Sequence, residues 1–354
     1  ASANSLSELW DGTPRVRASE VHKAIVGIRT TINSVYFGYT ATCQAQIFMH
    51  PNDALAPHSA HILESHCNYL GPWDVFVQYK DALVDPCSVG DFELPAKGTD
   101  AIPILKGMKA PPPSMIEAML NYAISGGIHH LQPRSYQPHG DAHAMMIHII
   151  RDIEGQLEVQ RLVMLAKSMA LNVLQSDSKE NQTWRLKLIR RFRKNRQRFR
   201  SEHNSLPPVS ELLDKAVEVL VTAEVRLLNS ESDDKLDYTD PETPVNLILV
   251  GGDILARGLT IEGLRTTLFL REPSTALIDS SLQSARWFGP HKGDIDLISI
   301  HMRHTLATRF ERIAWADAQL RDELRHLTET GQSVAHAKIH HHPGYHPTGK
   351  GKSR

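Results

Sequence analysis

Four short apolar runs, set apart by long helical patterns, constrain this chain more than anything else in it. AMMIHII (144–150), NLILVGG (246–252), TTLFL (266–270) and DLISIHM (296–302) each read as a buried strand. Helices are predicted between and around them, at 152–174, 184–200, 209–228, 277–288 and roughly 305–328. Buried strands alternating with helices predict an α/β fold on a parallel sheet covered on both faces. Ligands in such folds bind at the carboxyl ends of the strands, where the loops gather. Upstream, EVHKAIVGIRTTI (20–32) predicts a helix with one apolar face, and SVYFGYTAT (34–42) predicts another buried strand running into a tight loop. Residues 51–113 are rich in Pro, Gly and His and predict irregular structure with short elements. A helix is predicted after Pro113, with Ser114 as its cap and Gly126-Gly127 as its stop.

Composition narrows the function classes. With 354 residues, 41% hydrophobic and 22% charged, the chain is globular and long enough for about two domains. A net charge of −1 gives no whole-molecule field, so any attraction to nucleic acid must come from a local patch. Cys43, Cys67 and Cys87 lack CxxC spacing and fit a reducing cytosol better than a disulfide framework. No apolar run reaches 18 residues, and ASANSLSELWDG is not a signal peptide. The expectation is a cytoplasmic protein without a membrane partner.

Three motifs fall at predicted strand ends. In VGGDILARGLTIEGL (250–264) a strand runs into Gly251-Gly252, then Arg257-Gly258-Leu259-Thr260. Glycines allow close backbone approach to a ligand, and an arginine there can fork onto a phosphate. The bland alternative is a glycine-rich turn with a solvated arginine. In LQSARWFGPHKGD (282–294), Gln283 can orient a water, and Arg286 can neutralise charge on a transferred phosphoryl group. Its alternative is a packed Trp287-Phe288 beside an incidental arginine. FGYTATCQAQ (37–46) places the Thr40 and Thr42 hydroxyls at a predicted strand end, where an ordinary threonine turn is the competing reading.

The run from Arg185 to Arg200 holds nine Lys or Arg and no acid. Such density favours phosphate-backbone contact, with Arg190, Arg191, Arg193 and Lys194 as the candidate nucleic-acid contacts. The rival partner is the acidic stretch 231–242. His139, Asp141, His143 and His148 are a loose metal candidate, but His143 and His148 are five apart on one strand and point to opposite faces, so no metal site is assigned.

YFGYTAT, HAMMIH, VGGDILARGLTIEGL and QSARWFG, in this order, resemble the Z-one domain family, whose name carries an endonuclease assignment. The resemblance spans about residues 30–325. It implies a superfamily-two helicase-like ATPase of prokaryotic restriction and defence systems. Residues 1–48 would be a remnant of a first RecA-like lobe, and 49–141 an irregular segment with a linker helix. Residues 142–325 would be the second RecA-like lobe, with a helical insertion at 172–243, and 326–354 a disordered His-rich tail. By the resemblance, Arg257, Gln283 and Arg286 serve catalysis, while Gly251, Gly252, Gly258, Thr260, Thr40 and Thr42 serve nucleotide binding. ATP and Mg²⁺ are implied for the complete motor, and DNA and a missing first lobe, or another restriction-system subunit, as partners.

The chain departs from the family pattern at Cys43, where a proline is usual, and at Gly289-Pro290-His291, where a second arginine is missing. A motor also needs a Gly-Lys-Ser/Thr phosphate loop and an acidic pair for magnesium. Gly351-Lys352-Ser353 has His346 where the first loop glycine belongs, and Asp322-Glu323 follows no strand. The resemblance therefore places the phosphate-binding lobe before residue 1. A non-enzymatic DNA-binding or partner-binding remnant is the alternative.

Overall fold

The computed structural model describes residues 6–337, apart from 10–14, 19, 33, 48, 50–52, 88–90, 92–93, 95–97, 136–139, 232–235, 239, 241–242, 257–258 and 272–276. Of the tail expected at 326–354, residues 326–337 are described, in the end of the last helix and a 3₁₀ turn at Val334–His336, and 338–354 lie outside the described residues. The chain divides into two units, Ala1–Ser65 with Thr275–Gln283 and Arg312–Arg354, and His66–Ser274 with Ser284–Glu311.

The first unit opens with an antiparallel pair, β1 (Leu6–Leu9) and β2 (Arg15–Ala18). Helices α1 (Glu20–Thr31) and α2 (Gln44–Ile47) follow. Its small core packs Ile47 against Leu320, Leu324 and Leu327 of the long final helix and against Val334. The strand expected at 34–42 is absent. Those residues are unpaired, and Val35, Phe37 and Tyr39 are 78%, 75% and 88% exposed. Strand preference reflects packing against neighbours, and no described strand lies alongside this segment to supply one.

The second unit is built on six parallel strands in the order β3-β8-β7-β4-β6-β5. After a π-helical turn, Asp74–Gln78, come α3 (Lys80–Leu83), β3 (Val84–Cys87), α4 (Gly98–Gly107) and α5 (Pro113–Leu131). Next are β4 (His143–His148), α6 (Ile153–Gln175), α7 (Lys179–Arg198), α8 (Val209–Thr222) and β5 (Glu224–Leu228). Then follow β6 (Asn246–Gly251), α9 (Asp253–Ala256), β7 (Leu264–Phe269), α10 (Ile278–Ser284), β8 (Ser299–Arg303) and α11 (His304–Glu329). The boundaries of α10 and α11 fall across the two units. All four strands expected in this region are present, and the sheet is parallel throughout.

Two edge strands went unread. The helix expected over 209–228 stops at Thr222, and EVRLL becomes β5, paired with β6. Its apolar residues are too few for periodicity to separate strand from helix. At the other edge β3 carries Pro86, which an edge position tolerates because only one neighbour, β8, needs donors. The predicted helix 277–288 is only Ile278–Ser284, and the strand predicted from 296 begins at Ser299, after a 3₁₀ turn at Lys292–Leu297.

One face of the sheet, with Met145, Ile147, Ile248, Val250 and Leu268, packs on α5, α6, α7 and α8 in one continuous core. The helix expected to stop at Gly126-Gly127 runs through them to Leu131. A Cβ on Gly126 would sit 2.6 Å from the His143 ring, and one on Gly127 3.2 Å from the backbone of α8. These glycines therefore serve close packing. Nor does Ser114 cap the helix: its N–H donates to the Asp91 carboxylate at 2.9 Å. Against the other face, Phe269 meets Trp287 and Phe310 edge-on, and Phe76 stacks on Phe310 at 4.9 Å. Such aromatic pairs each add about 0.5–1.5 kcal/mol beyond burial. Among the described residues no helix is long and apolar enough to cross a membrane.

Candidate functional site

The chain leaves the carboxyl end of β4 toward β5 on one side, and leaves β7 toward β8 on the other. This divergence makes the junction of β4 and β7 a topological switch point, the position where open parallel sheets bind ligands. His148 ends β4 beside Phe269 of β7, and the Leu270 N–H donates to the His148 carbonyl at 3.0 Å.

Arg271 follows directly. It donates to the Asp253 carboxylate and approaches His148 Nε2 at 3.4 Å. A guanidinium only donates, so Nε2 accepts and the His148 ring is neutral, with Nδ1 buried and unpartnered. Burial, reinforced by Arg271, lowers the His148 pKa to about 3. Asp253 follows β6 and also binds Arg151 Nε at 3.0 Å. Burial alone would raise its carboxyl, but Arg271 and Arg151 outweigh that and hold it below the usual range. Three strand ends, those of β4, β6 and β7, thus share one charged cluster. Its side chains grade from Arg151, 72% exposed, through Asp253 at 42% to Arg271 at 25%, above the buried His148.

The glycines expected to approach a ligand have packing reasons as well. A Cβ on Gly251 would lie 2.5 Å from the Leu228 carbonyl of β5. One on Gly252 would meet Gln156 Nε2 at 2.5 Å, and that amide donates to the Arg151 carbonyl. Arg286 is half-buried, and its Nε donates to the Leu255 carbonyl of α9 at 2.9 Å, at the same carboxyl edge. Burial lowers its pKa. The bridge between Leu70 and Gly289 and the buried Trp287 fix the turn that carries it. Thr260 is exposed, and Arg257 and Gly258 lie outside the described residues.

The remaining candidates belong to the first unit. Gln283 donates to the Thr42 hydroxyl at 3.0 Å, while the Thr40 hydroxyl donates to the Thr42 carbonyl and accepts from its N–H. The threonines therefore form a turn, held further by Arg321, which donates to the Ala41 carbonyl at 2.9 Å and to Asp317 at 2.7 Å.

His143 and His148 lie at opposite ends of β4. His143 Nε2 donates to the Tyr122 carbonyl at 2.8 Å, while Asp141 is exposed and His139 lies outside the described residues. No group of three or more His, Cys, Asp or Glu among the described residues could hold a metal ion. Near His143 a buried ionic network links Arg134 to Asp296 at 2.7 Å, Arg265 to Asp294 at 2.7 Å and Arg196 to Asp296 at 3.4 Å.

On α7, Arg190, Arg193 and Lys194 are exposed, whereas Arg191 is committed to Asp85 at 2.8 Å and to the Asn121 side chain. The acids that meet this helix are Asp81, Asp85, Glu117, Asp177 and Asp296, and Asp233-Asp234 lie outside the described residues. Sequence reasoning missed Arg151, Asp253 and Arg271. Their one signal was position, each falling within five residues of the end of a predicted strand.

Among known proteins, a family model described as the Z1 domain matches residues 114–344. No curated protein and no solved structure matches the chain.

Proposed function

The chain belongs to the Z1 domain family, and from that premise we propose that it is a RecA-like lobe of a nuclease-related, helicase-like protein that remodels DNA with ATP in a restriction or defence system. The observation that carries this reading is the cluster of Arg151, Asp253, Arg271 and His148 at the switch point between β4 and β7, with Arg286 at the same edge. A lobe of this kind presents arginines to the outer phosphates of a nucleotide, where a fork of donors offsets charge on a transferred phosphoryl group. Arg271 is poised by Asp253 and Arg286 by the Leu255 carbonyl, so both heads are held before a ligand arrives.

The described residues fit a phosphate contact but not a resident magnesium ion. Asp253, the carboxylate of this cluster, is engaged by two arginines. In this reading the magnesium-binding acids and the phosphate cradle belong to a partner lobe, and this chain supplies the arginine side of the cleft.

Titration calorimetry with ADP on the full chain tests the assignment. Weak binding is expected, reduced about tenfold or more in Arg271→Ala and in Arg286→Ala, the loss of roughly one charge-assisted contact. Equal affinity in the wild-type chain and both variants would overturn it.

A further inference from the structure

The basic helix is two surfaces. Of the nine cations from Arg185 to Arg200, five are paired within the molecule, and Arg200 lies beyond the end of the helix. Arg185 donates to the Leu174 carbonyl at 2.7 Å, Arg191 pairs with Asp85 at 2.8 Å and Arg196 with Asp296 at 3.4 Å. Lys187 meets Glu117 at 2.9 Å and Arg198 meets Asp81 at 2.7 Å. On the same side as Arg185 and Arg196, Leu188, Ile189 and Phe192 are buried in the core, and Ser178 caps the first turn by accepting from the Asn181 N–H. The helix is thus fixed along its length by its inner face. Arg190, Arg193 and Lys194 remain on the outer face, exposed and without an ion pair among the described residues, with Lys187 one turn before and Gln197 one turn after.

We propose that this outer stripe is a track for the phosphate backbone of nucleic acid, carried by Arg190, Arg193 and Lys194 and not by the whole basic run. From 187 to 197 the helix rises about 15 Å, roughly the length over which one duplex strand presents four phosphates. The stripe's chemistry selects this occupant. A protein interface needs an apolar centre and a membrane-surface helix an apolar face, yet Leu186, 47% exposed, is the exposed large apolar residue of α7. Sequence-independent phosphate contact needs only fixed cations, and fixed cations are what the inner face of α7 provides. The track lies on residues other than the strand-end cluster, so it stands or falls apart from the nucleotide assignment.

Spent cations cannot release counterions, so the salt dependence counts the free ones. Three contacts give a slope of about −2.7 in log affinity against log salt on duplex, where nine would give about −8. The experiment is fluorescence anisotropy of the full chain with two labelled 20-base-pair duplexes of unrelated sequence, from about 50 to 200 mM KCl. Expected are equal affinities for both sequences, a slope near −2.7, and at least about tenfold weaker binding with a flattened slope in the triple variant Arg190→Ala, Arg193→Ala, Lys194→Ala. Arg191→Ala is expected to keep the slope and lower Tm, because its side chain braces Asp85 and Asn121. The proposal is overturned if the triple variant binds duplex as the wild type does, if Arg191→Ala flattens the slope as much, or if the wild type shows no binding at the lowest salt. It is overturned equally if poly-glutamate or anionic vesicles bind this stripe and duplex DNA does not compete. A nucleotide is the probe for the strand-end cluster and a duplex for α7, so each can fail alone.

Discussion

The side-chain amide of Gln283 donates to the hydroxyl of Thr42, 3.0 Å away and 241 residues earlier in the chain. Two motifs read separately in the sequence therefore meet in one hydrogen bond, where Thr42 is buried and Gln283 exposed. A neutral bond of this kind contributes about 1 kcal/mol net. Urea unfolding of Gln283→Ala, Thr42→Val and the double variant is expected to give a coupling of roughly 0.5–1.5 kcal/mol. Additive losses would mean that the contact carries no energy.

The chain alone is expected to release no phosphate from ATP, with or without duplex DNA. The strand-end cluster offers arginines and a carboxylate already engaged by two of them, and no Gly-Lys-Ser/Thr loop follows a predicted strand. A steady-state phosphate assay checks this. Turnover on the order of 1 per second, an ordinary enzyme rate, would sink the view that this chain is one half of a cleft.

The central strands were legible because each is buried on both faces and so reads as a continuous apolar run, as in His143–His148 and Asn246–Gly251. The edge strands were not. Val84–Cys87 contains Pro86, and Glu224–Leu228 joins a long helical pattern with only a residue between. SVYFGYTAT shows the converse: strand-like composition without a neighbour yields no strand. At the site, Arg286 was legible from its motif. Arg151, Asp253 and Arg271 were not, because single charged residues after strands carry no pattern until the sheet order brings them together. The nine cations from Arg185 to Arg200 read alike in sequence, and only their neighbours separate the spent from the free.

Glycine positions give a graded test. Gly263 has φ +65°, and a Cβ there would lie 1.9 Å from the Ala142 carbonyl oxygen, on backbone that also pairs β4 to β7. Gly331 has φ +67° with nothing within 4 Å. Gly331→Ala is expected to cost about 1 kcal/mol, the strain of the left-handed backbone alone. Gly263→Ala adds a clash with backbone that cannot turn aside, and is expected to cost about 4 kcal/mol or more, or to prevent folding. Denaturant midpoints compare the two, and equal losses would contradict the tight approach at Gly263.

Acid should unfold this protein through its buried imidazoles. His129 and His148 are lowered to about 3, in both chiefly by burial, with Arg265 acting on the first and Arg271 on the second. Asp294 faces His129 and Asp253 faces His148, each pulling the other way with less effect. His143, stacked on Tyr122 with its ring centroid 4.4 Å away, is likewise held well below its ordinary value, chiefly by burial. The fold thus holds these rings neutral, while an unfolded chain protonates them near the ordinary value of 6.5. Above that value neither state takes up protons and stability is full. Below it the unfolded chain gains protons that the fold refuses, so stability falls with pH until about 3, where the folded rings protonate too. Between pH 7 and pH 5 the loss is roughly 2 kcal/mol for each of His129 and His148. Asp253 and Asp294, both held below their usual values, stay charged across this window and do not offset it. Urea unfolding at the two pH values measures the loss, and His148→Gln is expected to reduce the pH slope by about one proton. Equal stability at pH 7 and pH 5 would mean that these rings reach water in the folded chain.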